Sequence, residues 1–169
     1  HTRVPSLLQD GEVLAKHLLA TYNHTFLVEL GGDDNERCLA IYKPRDAEIP
    51  LWDFPPGTLY RRERLAYLVS EALGWHLVPL TVIREGPDGV GSMQQFVPHQ
   101  RERHYFNMMP EYREQMARVA ILDCLINSCD RKGGHTLLDA QGQVWAIDNG
   151  LSFTPGMKLR TVMWDLADE

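Results

Sequence analysis

Two short stretches carry reactive side chains at a useful spacing: Asn127-Ser128-Cys129-Asp130-Arg131-Lys132-Gly133-Gly134-His135 and, one predicted hairpin later, Ala146-Ile147-Asp148-Asn149-Gly150. Asp130 falls in a polar loop directly after an apolar helix. A rigid scaffold meets solvent there, and a carboxylate so placed suits a general base or a substrate-orienting group. Asp148 follows the predicted strand Val144-Trp145-Ala146-Ile147 and precedes a tight turn, so its carboxylate emerges at a strand end as a magnesium ligand would. An Asp-Asn-Gly turn is common in purely structural roles, and only its pairing with the Asp130 loop makes it specific. His135 is a second candidate metal ligand. Together these groups point to phosphoryl transfer from ATP. That chemistry requires the phosphates to be held, one or two magnesium ions bound and the accepting oxygen oriented.

Further residues fit the same chemistry. Lys43 closes the apolar run Leu39-Ala40-Ile41-Tyr42, which aims its ammonium from a rigid strand end toward a cleft as a phosphate clamp. An ordinary solvated strand-end lysine has the same local pattern. Glu63, in the first turn of the next predicted helix, can orient Lys43 by pairing with it, with Glu71 as the rival; Glu63 equally suits a helix N-terminus as a favourable charge. Arg131 can hold the Asp130 loop by pairing with a carboxylate such as Asp123. The Asn23-His24-Thr25 turn could cover phosphates with backbone amides, although it lacks glycine. Neither GxxxxGK[ST] nor GxGxxG occurs, and there is no Gly-x-Ser-x-Gly elbow or His-Glu-x-x-His pair. P-loop, Rossmann and hydrolase sites are therefore without support.

The elements that must position these groups follow from apolar spacing. Glu12 to Leu19, Thr25 to Leu30 and Cys38 to Tyr42 read as an antiparallel meander, ended by Pro44. Pro44 to Thr58 is an ordered loop with Leu51, Trp52 and Phe54 as apolar anchors. Leu65, Leu68, Val69, Ala72 and Leu73 predict a helix closed by Gly74. Val78 to Ile83 and Gly91 to Val97 predict two strands. Glu111 to Ile126 predicts a second helix with a wide apolar face formed by Met116, Val119, Ala120 and Asp123, with Ile121, Cys124 and Leu125 beside it. The hairpin His135 to Asp139 and Gln143 to Ile147 comes last, and a hinge is placed near Phe96 to His99.

Composition limits the alternatives. The chain has 169 residues, 44% of them hydrophobic, enough for one domain or two small lobes sharing a cleft. A net charge of -6 argues against broad affinity for nucleic acid or anionic membrane. Arg61, Arg62 and Arg64 form the one compact basic cluster, most simply a solvated helix face. No apolar run reaches the ~20 residues of a membrane span and no signal peptide is evident, so the chain reads as soluble and cytoplasmic. The three cysteines Cys38, Cys124 and Cys129 make no paired framework. A zinc site from Cys124, Cys129 and His135 matches no common spacing, with one of those cysteines expected to face a helix core. Starting at His1 and stopping at Glu169, the chain reads as a fragment or a trimmed protein.

Asp130-Arg131 with His135, followed by Ala146-Ile147-Asp148-Asn149-Gly150-Leu151-Ser152-Phe153, resembles the phosphatidylinositol 3- and 4-kinase superfamily, above all its type II phosphatidylinositol 4-kinase branch. Ile41-Tyr42-Lys43-Pro44, Glu63-Arg64-Leu65-Ala66-Tyr67-Leu68-Val69 and Ser92-Met93-Gln94-Gln95-Phe96-Val97 look like that branch's lysine strand, following helix and hinge strand. Leu51-Trp52-Asp53-Phe54-Pro55, Asp130 to His135 and Lys158-Leu159-Arg160-Thr161-Val162 resemble a group of uncharacterised bacterial proteins in the superfamily.

The resemblance implies an α+β, two-lobed fold similar to protein and lipid kinases. Residues 1–97 would form an N-lobe with an antiparallel sheet and one helix, and 98–169 the hinge and a short, truncated helical C-lobe. It implies Lys43 on the ATP phosphates, Glu63 supporting it, the backbone at Gln95, Phe96 and Val97 holding adenine, Asp130 and Arg131 in the catalytic loop, and Asp148 as main metal ligand. The family usually has asparagine where this chain has His135, and imidazole is a poorer ligand for magnesium than for softer ions, so manganese enters as an alternative. The cysteine-rich palmitoylation segment of type II lipid kinases is absent. The acceptor is open among protein, lipid and small molecule, and the oligomeric state is open too. Two other readings remain: a nucleotide-binding pseudokinase acting as a regulatory or interaction module, and a nucleotidyl transferase on the same fold.

Overall fold

The computed structural model describes residues 3–20 and 24–166. In chain order its main elements are α1 (Val4–Asp10), β1 (Glu12–Leu19), β2 (Thr25–Gly31), β3 (Arg37–Pro44), α2 (Leu59–Ala72), β4 (Thr81–Gly86), β5 (Gly89–Gln95), α3 (Tyr105–Met108), α4 (Arg113–Ile126), β6 (Thr136–Leu138) and β7 (Val144–Ala146). The class is α+β, as the sequence pattern predicts. The trace separates into two compact units, one running to Arg64 and resuming over Leu80–Phe96, the other covering Leu65–Pro79 and continuing from Val97.

In the first unit, five strands make one antiparallel sheet in the order β1-β2-β3-β5-β4. Its register sets Phe26 opposite Tyr42, Tyr42 opposite Met93 and Met93 opposite Val82, an apolar row across four strands. Leu8, Val28, Leu30 and Ala40 complete that core. Successive strand residues face opposite sides, so Lys43, opposite Ser92 and one step beyond Tyr42, points away from the core. Pairing ends at Pro44, opposite Gly91. A Cβ on Gly91 would lie 2.4 Å from the Lys43 carbonyl oxygen, so the ladder beside Lys43 admits no side chain there.

Several elements depart from the sequence expectation. Helix α1, with a proline in its first turn, was too short to show a periodic face; Leu8 is its buried anchor, and Arg84 Nη1 donates to the Leu8 and Gly11 carbonyls at 3.3 and 2.8 Å. The strand expected from Val78 begins only at Thr81. The Leu77 and Val78 amides instead donate to Ser70 Oγ, at 2.7 and 3.3 Å, and Pro79 has no N–H to offer a ladder. The strand expected over Gly91 to Val97 runs from Gly89 to Gln95. Helix α2 buries Tyr60, Glu63, Ala66 and Ser70, while Leu65, Leu68 and Ala72 of the expected stripe are exposed. Buried polar side chains at 63 and 70 defeat an apolar template.

The first turn of α2 is capped at a distance: Glu48 Oε1 accepts from the Tyr60 amide at 2.8 Å. Its Oε2 is buried and has no hydrogen-bond partner among the described residues. Burial raises the pKa of the Glu48 carboxyl.

The second unit has its own core. Met116, Val119, Leu122 and Ile126 on α4 cluster with Leu77, Val78, Tyr105, Met108 and the hairpin residues Leu138, Val144 and Ala146. The expected α4 face is corrected at its edges: Ile121, Cys124 and Leu125 are exposed, and Leu122 takes the inward position. Cys124 therefore does not face the core. No group of three or more His, Cys, Asp or Glu side chains suited to a metal occurs among the described residues, which removes the zinc arrangement. No helix among them is long and apolar enough to cross a membrane.

Leu122→Ala is expected to destabilise the protein by ~2–5 kcal/mol, and Leu125→Ala to stay within about 0.5 kcal/mol, both measured by urea denaturation. Glu48→Gln keeps an oxygen for the Tyr60 amide and removes the charge. A raised folded pKa means that the native state binds protons more readily, so this acid's contribution falls as pH rises above its ordinary value of 4.5. Glu48→Gln is therefore expected to raise the melting temperature at pH 7 and to lose that advantage below pH 4.5; an equal gain at both pH values contradicts the assignment.

Candidate active site

In the first unit, Lys43 Nζ lies 2.7 Å from Glu63 Oε1, with the lysine side chain 23% exposed and the glutamate 5%. Strand register and Gly91 fix the lysine backbone, and one turn into α2 fixes the acid. The rival Glu71 pairs instead with His76, Nδ1 to Oε2 at 2.8 Å. Arg64 of the basic cluster donates through Nη1 to the Thr81 carbonyl, Arg62 Nε donates to Thr58 Oγ1 at 3.2 Å, and Arg61 Nε donates to its neighbour's hydroxyl, Tyr60 Oη, at 2.9 Å. These contacts account for the cluster as helix and loop fastening. At the end of β5 the Gln95 amide donates to Leu80 O at 2.8 Å and the Phe96 amide to Leu39 O at 3.1 Å, so both are committed to the sheet.

In the second unit, α4 stops at Asn127, whose left-handed backbone (φ 51°) turns the chain into the loop. That loop is gripped from two sides. The Cys129 amide donates to Leu151 O at 2.8 Å, and the Arg160 amide to Ser128 O at 2.8 Å. The Arg131 amide donates to Arg160 O at 3.0 Å, and the Val162 amide to Arg131 O at 3.2 Å. Asp130 is thus fixed through its neighbours' backbone, with its side chain 38% exposed and 3.6 Å from Lys132 Nζ.

Arg131 is fully buried with Asp123. Its Nε donates to the two carboxylate oxygens at 3.0 and 3.2 Å, and Nη2 lies 2.9 Å from Oδ1. Nη1 donates to Ile147 O at 2.6 Å, and Nη2 also donates to Asn149 Oδ1. Each guanidinium nitrogen is occupied by protein acceptors. The pairing with Asp123 that the sequence suggested is present, and it leaves the side chain no route to a solvent-borne ligand.

Asp148 follows β7 with φ 56°, its carboxylate 43% exposed. His135 Nε2 lies 3.4 Å from Asp148 Oδ2. His135 Nδ1 sits 2.9 Å from the Asp130 carbonyl and 3.2 Å from the Lys132 amide nitrogen. A protonated Nδ1 donates to Asp130 O and leaves Nε2 with its lone pair toward Asp148. An unprotonated Nδ1 accepts from the Lys132 amide and makes Nε2 a donor to the carboxylate. Burial, with Arg131 nearby, lowers the imidazole pKa despite the opposing pull of Asp148.

The structure therefore brings Lys43 to Glu63 in one unit, and Asp130, Arg131, His135 and Asp148 into one connected set in the other. Val97 belongs to the second unit, its carbonyl 2.8 Å from His99 Nδ1. Of the Asn23-His24-Thr25 turn, Asn23 lies outside the described residues. Sequence reasoning passed over Thr161, whose Oγ1 donates to Asp123 Oδ2 at 3.1 Å, and read Asn149 as a turn former only. A buried aspartate eight residues before an arginine was the available clue to such a network.

Residues 60–164 match the family profile described as phosphatidylinositol 3- and 4-kinase. The chain belongs to the phosphatidylinositol 3- and 4-kinase family, and so to the kinase-like phosphotransferases at the level of class. It is similar to Protein Rv2133c of Mycobacterium tuberculosis, 38% identical over 199 aligned positions that span 96% of this chain and 71% of the relative. Glu63, Gln95, Phe96, Val97, Asp130, Arg131, His135 and Asp148 fall inside the family match, and Lys43 falls outside it.

Asp123→Ala leaves a buried guanidinium without its counter-charge. It is expected to cost ~3–5 kcal/mol in chemical denaturation, against less than about 1 kcal/mol for removal of the exposed partner in Glu114→Ala.

Proposed function

We infer that this chain is an ATP- and divalent-metal-dependent phosphotransferase that moves the γ-phosphoryl group of ATP to a hydroxyl acceptor, with protein, lipid and small molecule all open as acceptor classes. The observation that carries the reading is the 2.7 Å ion pair between Lys43, outside the stretch matched to the family, and Glu63, inside it. A lysine held by a nearly buried acid presents a fixed ammonium, as phosphate oxygens require. Asp130 accepts the proton of the attacking hydroxyl from a loop whose backbone is tied on both sides. Arg131 acts on that loop and on the Asp148 turn rather than on substrate, since its nitrogens are occupied. The Gln95 and Phe96 amides are committed to the sheet, so adenine would be held by other backbone groups of the segment 95–97.

The donors fit a nucleotide-bound metal better than a protein-caged one. Asp148 supplies carboxylate oxygen and His135 an imidazole nitrogen 3.4 Å from it, and no larger ligand group exists among the described residues. Magnesium is often held by one or two protein ligands, with phosphates and water completing its shell. Such an ion would neutralise charge developing on the phosphate oxygens. The imidazole favours manganese over magnesium. The same contact supports a second reading, a regulatory pseudokinase, because an imidazole donating to Asp148 competes with a metal for the carboxylate.

The test is incubation with γ-labelled ATP, magnesium or manganese, cell extract and inositol lipid vesicles, with α-labelled ATP in parallel. Wild type is expected to label an acceptor from the γ position, and Asp130→Ala to lose at least about a hundredfold in transfer while still binding ATP. Asp148→Ala is expected to lose metal-dependent ATP binding with its fold intact; unchanged metal-dependent affinity removes it from the ligand role. His135→Asn is expected to retain or improve magnesium use. ATP binding without transfer favours the pseudokinase, and label from the α position favours nucleotidyl transfer.

A further inference from the structure

Asp148 occupies a backbone region that residues with a Cβ rarely adopt, φ 56°. Such a conformation persists only where the surroundings over-determine it. Here one guanidinium holds the residues on either side of it. Arg131 Nη1 donates to the carbonyl of Ile147 at 2.6 Å, and Nη2 donates to the side-chain oxygen of Asn149. Asn149 is 1% exposed and is tied at its other end too: Nδ2 donates to Ala146 O at 3.2 Å, back across the turn to the end of β7. Its carbonyl accepts from Ser152 Oγ at 2.6 Å. The guanidinium is in turn fixed by Asp123 on α4, and Asp123 Oδ2 accepts from Thr161 Oγ1 at 3.1 Å.

The chemistry at position 149 is specific. The side chain must accept from an arginine, which has no acceptor of its own, and donate to a carbonyl, within one short planar group. A carboxamide of asparagine length does both. Aspartate keeps the acceptor and loses the donor, and alanine loses both. These partners are buried, where directional polar bonds act at low dielectric and a lost partner is costly.

We propose that Asn149 is a positioning residue for Asp148: its bond to Arg131 relays the fixed position of Asp123 on α4 to the carboxylate beside it. The proposal rests on the reading of Asp148 as a metal ligand, and it concerns a residue that touches neither metal nor nucleotide. Groups that orient metal ligands typically change metal affinity about 10–100-fold when removed. A turn former with no positioning role would change stability and leave metal affinity alone.

The experiment uses the full chain as wild type, Asn149→Ala and Asn149→Asp, each checked for a cooperative melt. Two quantities are read: hydrogen exchange of peptides covering 146–152 without metal, and the manganese concentration giving half-maximal binding of a non-hydrolysable ATP analogue. Asn149→Ala is expected to speed local exchange and to raise the manganese midpoint about tenfold or more. Asn149→Asp, with the Arg131 acceptor restored, is expected within about threefold of wild type. A midpoint unmoved by Asn149→Ala, or raised equally by both substitutions, overturns the relay. If wild type binds the analogue without needing metal while Asn149→Ala still loosens 146–152 and Asn149→Asp does not, the positioning of the turn stands and the metal-ligand reading of Asp148 falls. Should Asn149→Ala not fold, Asn149→Ser, too short to reach the Arg131 guanidinium, takes its place: a midpoint raised about tenfold supports the relay and an unmoved midpoint overturns it.

Discussion

A guanidinium with no access to water must find a protein acceptor for each of its N–H groups, and the second unit is organised around how Arg131 does so. Its acceptors lie on a helix, at the end of a strand and in the turn beyond it: Asp123, Ile147 and Asn149. Two segments far apart in the chain, α4 and the end of β7 with the turn beyond it, are thereby held to one rigid, planar group. Its partner Asp123 is equally inaccessible, so neither charge can be removed singly without stranding the other. Asp130, next to Arg131, and Asp148, between two of its acceptors, inherit their backbone positions from this pair.

The first unit solves a simpler problem with simpler means. A strand ladder fixes the Lys43 main chain, a missing side chain at Gly91 lets the neighbouring strand come close, and a nearly buried acid holds the ammonium. Under the proposed function, the contrast follows from the chemistry asked of each. An ammonium contacting phosphate needs a fixed direction and a counter-charge weak enough to share. Carboxylates that divide the work of base and ligand need separate positions, and these come from backbone, because the carboxylates themselves must stay partly in solvent.

The strands and the hairpin were legible because their apolar residues alternate or cluster between strong turn signals, as in Gly31-Gly32-Asp33-Asp34-Asn35 before β3. The buried faces of the helices were less legible. Glu63 and Ser70 are polar and inward because each has a specific partner, which an apolar template scores as solvent-facing. Helices α1 and α3 were invisible for want of length, at seven and four residues. For the site, the residue types in the two motifs and the Asp123–Arg131 pair could be read from spacing. The part played by Asn149 could not, since its partner is 18 residues away and the local pattern is that of any tight turn.

The left-handed backbone at Asp148 has a consequence for how this position can drift. Glycine is the residue best suited to that conformation, which asparagine and aspartate adopt only occasionally. Selection for robustness alone, under heat or in a lineage that no longer uses the carboxylate, would therefore favour replacing the aspartate, as is common where function and stability compete. An aspartate retained in this conformation holds its place against that pressure, whereas glycine at the same position would mark a copy of the fold that has exchanged chemistry for durability.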